Sequence, residues 1–251
     1  MLRRALIALA ALAMFTLPAA AFEIDQMTDN ERAIFRAEIR EYLLENPEVL
    51  MEAIGVLEER RAAEAVEQEL LILSQYSDQI YNDGYSYVGG NPEGDVTMVE
   101  FLDYRCGFCK RAFPMVKELV ETDGNIRFVI KEFPILGDAS TLASRYAIAT
   151  KILEGDEAYI ALHDKLMVWN GDINEAALAR LSGDLDIDHE AVLARMNDDD
   201  ITAIIAQNRE IATMLQIQGT PTFLIGETFI RGLAEIEQMR NIVELVREEQ
   251  S

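Results

Sequence analysis

Cysteine and histidine are almost missing: the 251-residue chain holds two of each. Both cysteines, Cys106 and Cys109, fall in one Cys-Gly-Phe-Cys run. A structural zinc site takes about four ligands, and beyond these thiols only His163 and His189 are soft partners, well apart in the sequence. A c-type haem attachment needs His directly after the second Cys, where this chain has Lys110. A purely structural disulfide across so short a loop removes little chain entropy and stabilises weakly. Basic residues are also scarce, 22 Lys and Arg against 45 Asp and Glu, for a net charge of −23. Nucleic-acid binding requires basic patches, so no nucleic-acid partner is expected. There is no internal repeat, no low-complexity segment and no Met-x-x-Met cluster.

Long apolar runs are lacking beyond the N-terminus. There, Met1-Leu2-Arg3-Arg4 precedes an apolar stretch from Ala5 to Leu17 and then Pro18-Ala19-Ala20-Ala21. The stretch is shorter than the ~20 residues that span a bilayer. Its charged start, short apolar middle and small closing residues predict a signal peptide over 1–21, cleaved after about Ala21. No cysteine follows for lipidation, so the mature chain is expected to be exported, soluble and periplasmic. In an oxidising compartment, a lone CxxC pair reads as a tool rather than a staple.

Residues 22–84 read as a helical arm and linker. Thr28 with Glu31 forms a capping-box pattern, and a first helix is expected to about Glu45, with Ile34, Phe35, Ile39, Tyr42 and Leu43 on one side. Asn46-Pro47 reads as an N-cap with Pro at the first helical position, opening a second helix to about Ile80. Its apolar stripe breaks at Glu58-Glu59-Arg60-Arg61, which argues against one straight coiled coil. The arm is too small to enclose its apolar faces, so it is read as an oligomerisation arm making a homo-oligomer, trimer or dimer.

Residues 85–251 follow a different pattern. Tyr85–Val88 reads as a short edge strand. Val96–Phe101 is rich in β-branched and aromatic residues, as a buried strand is. Helical spacing returns over Arg111–Glu121, and Ile126–Phe133 is a second strand, so these elements imply a parallel βαβ unit. Helices are expected at 140–153, 157–168, 174–182, 188–196 and 200–216. A hairpin (222–225 and 228–230, turning at Gly226-Glu227) and a closing helix over 234–248 complete the chain. The expected fold is α/β with a helical insertion at about 138–217, preceded by the helical arm.

Cys106 therefore sits where a strand gives way to a helix, with Cys109 one turn inside. Unpaired backbone N–H groups and the positive end of the helix dipole favour a thiolate at that place, and the thiolate is the nucleophile of disulfide exchange. Lys110 and Arg105 add positive charge nearby. Cys109 is placed to attack a mixed disulfide held on Cys106. Soft thiolates also select copper(I), so a copper-sequestering thiol protein is an alternative from a different class.

Three segments carry a family resemblance: Val99-Glu100-Phe101-Leu102-Asp103-Tyr104-Arg105-Cys106-Gly107-Phe108-Cys109, Lys131-Glu132-Phe133-Pro134-Ile135-Leu136-Gly137, and Gly219-Thr220-Pro221-Thr222-Phe223. In this order and spacing, over about residues 85–249, the chain resembles the DsbA-like thioredoxin-fold oxidoreductases of the bacterial periplasm. Its prefix with Asn46-Pro47-Glu48 resembles the oligomerisation arm of the ScsC-type members. The resemblance implies a thioredoxin fold with a redox-active Cys106–Cys109 disulfide and no further cofactor or metal. Cys106 would be the attacking thiol and Cys109 the resolving one. Pro221 would be a cis-proline facing the site, with the Thr220 backbone pairing an extended substrate segment. Glu100 would be the buried carboxylate that takes the Cys109 proton, with Lys131 as its possible partner. Phe108 would tune the loop, and His163 and His189 read as ordinary surface or helix residues.

Two positions depart from the strongest oxidases: Gly-Phe replaces Pro-His between the cysteines, and Thr replaces Val before Pro221. Both are similar to periplasmic isomerases and reductases. A disulfide isomerase or reductase is therefore expected, acting on unfolded or misoxidised exported proteins and served by a membrane thiol-disulfide partner. A DsbA-like dithiol oxidase is the alternative within the class.

Overall fold

The computed structural model describes residues 27–250. The expected signal peptide lies outside the described residues. The chain divides into two compact units, residues 1–64 and 65–251.

In the first unit, α1 runs Asp29–Glu45. It starts at the expected capping box: Thr28 Oγ1 accepts from the Glu31 amide at 3.4 Å and Glu31 Oε2 accepts from the Thr28 amide at 2.8 Å. No side chain of α1 is buried, and Ile34, Phe35, Ile39 and Tyr42 are exposed. α2 covers Glu48–Gln75. Asn46 is not its N-cap. It closes α1 instead, with its backbone and side-chain N–H groups both donating to the Tyr42 carbonyl. Nor does α2 reach Ile80: it stops at Gln75, and a separate short α3 follows over Ser77–Tyr81. Leu73 and Ile80, from the segment read as arm, are buried within the second unit.

The second unit is built on a five-stranded sheet in the order β1-β3-β2-β4-β5. The strands are β1 (Tyr87–Gly90), β2 (Val96–Leu102), β3 (Ile126–Glu132), β4 (Thr222–Ile225) and β5 (Thr228–Arg231). β2 and β3 are parallel, joined through α4 (Gly107–Asp123), and the other pairs are antiparallel. α4 ends at Gly124, whose φ of 72° needs a residue without a Cβ. The insertion between β3 and β4 is helical, α5 (Asp138–Glu154), α6 (Asp156–Val168), α7 (Glu175–Gly183), α8 (His189–Arg195) and α9 (Asp199–Met214). The expected hairpin forms β4 and β5. Its turn glycine, Gly226, has φ 59°, and a Cβ there would stand 2.9 Å from the Val246 side chain on α10 (Ile236–Glu249).

Strand alternation sorts the central side chains onto two faces. On one, Met98, Leu102, Phe128 and Ile130 pack with Cys109, Ala112 and Val116 of α4. On the other, Val99, Phe101, Val129 and Leu224 pack with Leu73, Ile80, Ile211 and Leu215. The sheet is thus covered on both sides, which explains why β2 and β3 read as nearly continuous apolar runs. Charged residues in the middle and at the far end of these strands are consequently buried, whereas Arg127 near the start of β3 is only half-buried. The buried ones are Glu100, Lys131 and Glu132.

Candidate active site

Cys106 is the N-cap of α4, and its backbone N–H donates to the Asp103 carbonyl at 2.9 Å. The Asp103 side chain is buried and ties two loops together. One oxygen accepts from the Arg105 amide at 2.8 Å, and the other from the Ile135 and Leu136 amides at 2.8 and 3.0 Å. The peptide bond between Thr220 and Pro221 is cis. The Cys106 thiol donates to the Thr220 carbonyl at 3.0 Å. Cys106, Cys109, Glu100, Thr220 and Pro221, separated by up to 121 positions in sequence, gather at one end of β2 and β4.

The two thiols are held differently. Cys106 is 6% exposed and Cys109 fully buried. The Cys106 thiol is lowered to about 5, chiefly by a hydrogen bond from Cys109, with the Thr220 side chain and the Cys109 and Phe108 amides also favouring the thiolate against the cost of burial. These amides are the free N–H groups of the first helical turn. Burial pushes the Cys109 thiol up, and its bond to Cys106 and the nearby Glu100 charge add to that. Glu100 is raised to about 8, first by burial and then by repulsion from Cys106 and Glu132. Its Oε1 has no hydrogen-bond partner among the described residues.

The expected cations contribute little by direct contact. Arg105 donates to the Leu136 carbonyl at 3.1 Å and Lys110 to the Trp169 carbonyl. Phe108 is exposed beside the cysteines, with the Arg111 guanidinium 5.4 Å from its ring centre.

Lys131 does not pair with Glu100. Glu100 stands opposite Ile130 in the β2–β3 register, so the next residue, Lys131, points to the other face. There it is buried, donating to Asp83 and to the Gln79 carbonyl at 2.8 Å. His163 is not a surface residue either. It is 2% exposed, its Nδ1 lies 3.2 Å from the Tyr104 hydroxyl, and burial lowers it to about 3, so it is neutral. His189 is half-buried at the start of α8, with Nδ1 2.9 Å from the Tyr146 hydroxyl.

Sequence reasoning did not single out Glu132, whose carboxylate accepts from Tyr104 and Tyr159 at 2.7 and 2.8 Å and from Ser144 at 2.7 Å. The available signal was period two: Glu132 follows Ile130 by two and so shares the Glu100 face. Among the described residues there is no helix long and apolar enough to cross a membrane.

The sequence model of the thioredoxin family matches residues 82–245, and that of the copper resistance protein ScsC N-terminal domain matches residues 31–64. The chain is similar to a thioredoxin-like oxidoreductase from Silicibacter pomeroyi DSS-3, with 38% identity and a TM-score of 0.64, covering 68% of this chain and 97% of that one. It is similar to the thiol-disulfide exchange protein alpha-DsbA2 from Wolbachia pipientis, with 30% identity and a TM-score of 0.67, covering 73% and 98%. Proteus mirabilis ScsC in a transitional conformation matches at 28% identity with a TM-score of 0.66, covering 89% and 100%. The chain spans only 23% of the length of a Na(+)/H(+) antiporter NhaA 3 from Salinispora tropica, to which it is 30% identical over 153 residues. With the fold, both family matches and these relatives in agreement, this chain belongs to the thioredoxin family, as a DsbA-like protein of the ScsC type.

Proposed function

We propose that the chain is a periplasmic thiol-disulfide oxidoreductase, working through Cys106-Gly107-Phe108-Cys109 on exported proteins, mainly as an isomerase or reductase. The observation that carries this reading is the asymmetry of the thiols: an acidic Cys106 at the helix N-terminus beside a buried, strongly basic Cys109. The Cys106 thiolate attacks one sulfur of a client disulfide, that S–S bond breaks, and one client thiolate leaves. Cys109 then passes its proton to Glu100 and attacks Cys106 Sγ. The mixed disulfide breaks, the second client thiolate leaves, and the Cys106–Cys109 disulfide forms, so the client gains the two electrons the protein loses. In isomerisation, another client thiol displaces Cys106 and the protein stays reduced. A membrane thiol-disulfide partner would restore the dithiol after each reduction.

The arm supports the isomerase direction. Ile34, Phe35, Ile39 and Tyr42 of α1, and Leu50, Ile54 and Leu57 of α2, are exposed. Burying a Leu or Ile is worth about 1.5–3 kcal/mol, so self-association recovers a substantial energy and brings more than one Cys106 to a client. The matched ScsC N-terminal domain points the same way. The lowered Cys106 favours a second reading, the dithiol oxidase, because stabilising the reduced form makes the disulfide more oxidising. Light scattering with a scrambled-disulfide refolding assay on the full chain and on residues 65–251 separates the two. The isomerase reading predicts an oligomer whose truncation costs most isomerase activity but leaves dithiol reductase activity. A monomeric full chain, or an unimpaired truncated isomerase, would overturn it.

A further inference from the structure

The face of the sheet that carries Glu100 holds a second buried carboxylate, with no cation bonded to it among the described residues. β2 and β3 are parallel with Glu100 opposite Ile130 and Leu102 opposite Glu132, so Glu100 and Glu132 are diagonal neighbours on one face. With a rise of about 3.3 Å per residue and strands about 4.8 Å apart, their Cα atoms lie about 8 Å apart. Lys131 between them is turned to the opposite face and held by Asp83. Glu132 is 3% exposed and accepts from three hydroxyls, Tyr104 and Tyr159 on Oε1 and Ser144 on Oε2. Burial raises Glu132 to about 7, against three donors that favour its charged form, so it is charged from neutral pH upward. Tyr104 stands two residues before Cys106, linking this cage to the active-site loop. Beside it lies a cavity of about 510 Å³ lined by Glu100, Phe113, Val116, Lys117, Phe128 and His163.

We propose that Glu132 is a positioning residue for the resolving step: its caged negative charge sets the proton affinity of Glu100, and so the pH at which Glu100 can take the proton from Cys109. This rests on Glu100 being the acceptor, as proposed above. The groups facing the pair are few. Cys106 and Cys109 approach from α4, Asp103 and Tyr104 from the loop, Tyr87 from β1, Ser144 from α5, and Tyr159 and neutral His163 from α6. Lys117 is bound to Asp164 at the cavity wall, with Glu121 nearby. None of these is a cation in contact with either carboxylate. Glu100 is accordingly raised partly by Glu132, after burial and Cys106. The proton therefore leaves the pair in coupled steps. With Glu132 charged, Glu100 holds the Cys109 proton firmly. With Glu132 neutral, Glu100 ionises at lower pH and is a weaker base.

The test is a single-turnover measurement on the full chain. A mixed disulfide between Cys106 and 5-thio-2-nitrobenzoate is prepared, and release of the aromatic thiolate by Cys109 is followed in a stopped-flow instrument across pH. Glu100→Gln should abolish the pH limb of this step. Glu132→Gln should keep the limb and move its midpoint down by about 1.5 pH units, the size of one charge at this separation in a protein interior. Glu132→Asp, which keeps the charge, should restore the midpoint toward that of the parent. Tyr159→Phe keeps the ring, removes one donor to Glu132, and should move the midpoint the same way by less, a check that stands if Glu132→Gln does not fold. An unmoved midpoint in both Glu132→Gln and Tyr159→Phe, with the Glu100→Gln limb abolished, overturns the role of Glu132 and leaves Glu100 as acceptor. A limb that survives Glu100→Gln overturns the reading on which the proposal rests.

Discussion

Thr220→Val is a nearly isosteric change that removes one group favouring the Cys106 thiolate. The Thr220 side chain is among the hydrogen-bonding groups that bring this thiol from 9.0 to about 5. A hydrogen bond to a charged group is worth about 1.5–3 kcal/mol when buried, and solvent at the helix end reduces it. The expected rise is therefore about one pH unit, or roughly 1.4 kcal/mol. The sign follows directly: losing a donor to the thiolate favours the thiol, so the midpoint of thiolate absorbance and of iodoacetamide reactivity moves up. Above both midpoints the reduced form loses that stabilisation, so the disulfide becomes less oxidising by about 30 mV. Thiolate absorbance against pH measures the first effect and equilibrium with glutathione the second. An unchanged midpoint would refute the assignment of Thr220 as a thiolate partner, and a potential that moved without the midpoint would detach the potential from the thiolate.

Alkylation of the reduced protein at mildly acidic pH, mapped by mass spectrometry, should label Cys106 and spare buried Cys109 until the protein unfolds; the reverse order would exchange their roles. Glu100 is neutral below its unfolded value of 4.5 and costs stability as pH rises toward about 8, where burial opposes its charge. Glu100→Gln should therefore gain stability over the parent between about pH 5 and 8, reaching roughly 4–5 kcal/mol and then levelling, as read from denaturant unfolding of the reduced protein. The same variant should slow mixed-disulfide release about 10²-fold while leaving the first attack by Cys106 unchanged. Lys131→Met should cost about 3–5 kcal/mol by stranding the buried Asp83 charge, with part of that restored in Lys131→Met/Asp83→Asn. Because it lies on the other face, it should leave the pH profile of the resolving step in place.

Much of this architecture is legible before folding is considered. β-branched runs, helical spacing and turn residues locate β2 to β5 and the five insertion helices, while the short edge strand expected at Tyr85–Val88 lies two residues later, at Tyr87–Gly90. Cys106 and Cys109 stand out through motif and spacing, and Pro221 through the family resemblance. What escapes is what depends on register. Lys131 and Glu132 are adjacent in a charged dipeptide, and only the parallel pairing of Glu100 with Ile130 reveals that one is a remote anchor for Asp83 and the other a neighbour of Glu100. His163 escapes for a related reason. The sequence reads it only as a surface or helix residue; it does lie on α6, and its burial follows from α6 packing against Tyr104 and Phe113, which local sequence does not encode. Asn46, read as the cap that opens α2, instead closes α1.

The central claim is that Cys106 alone attacks clients and that Cys109 alone releases them. Trapping tests it most directly: Cys109→Ser and Cys106→Ser chains are expressed with a signal for export, thiols are quenched with acid, and disulfide-linked adducts are resolved without reductant. The account predicts that Cys109→Ser accumulates mixed disulfides through Cys106 with exported proteins, while Cys106→Ser forms none. Adducts through Cys109 in the Cys106→Ser chain, or none in either, would contradict it.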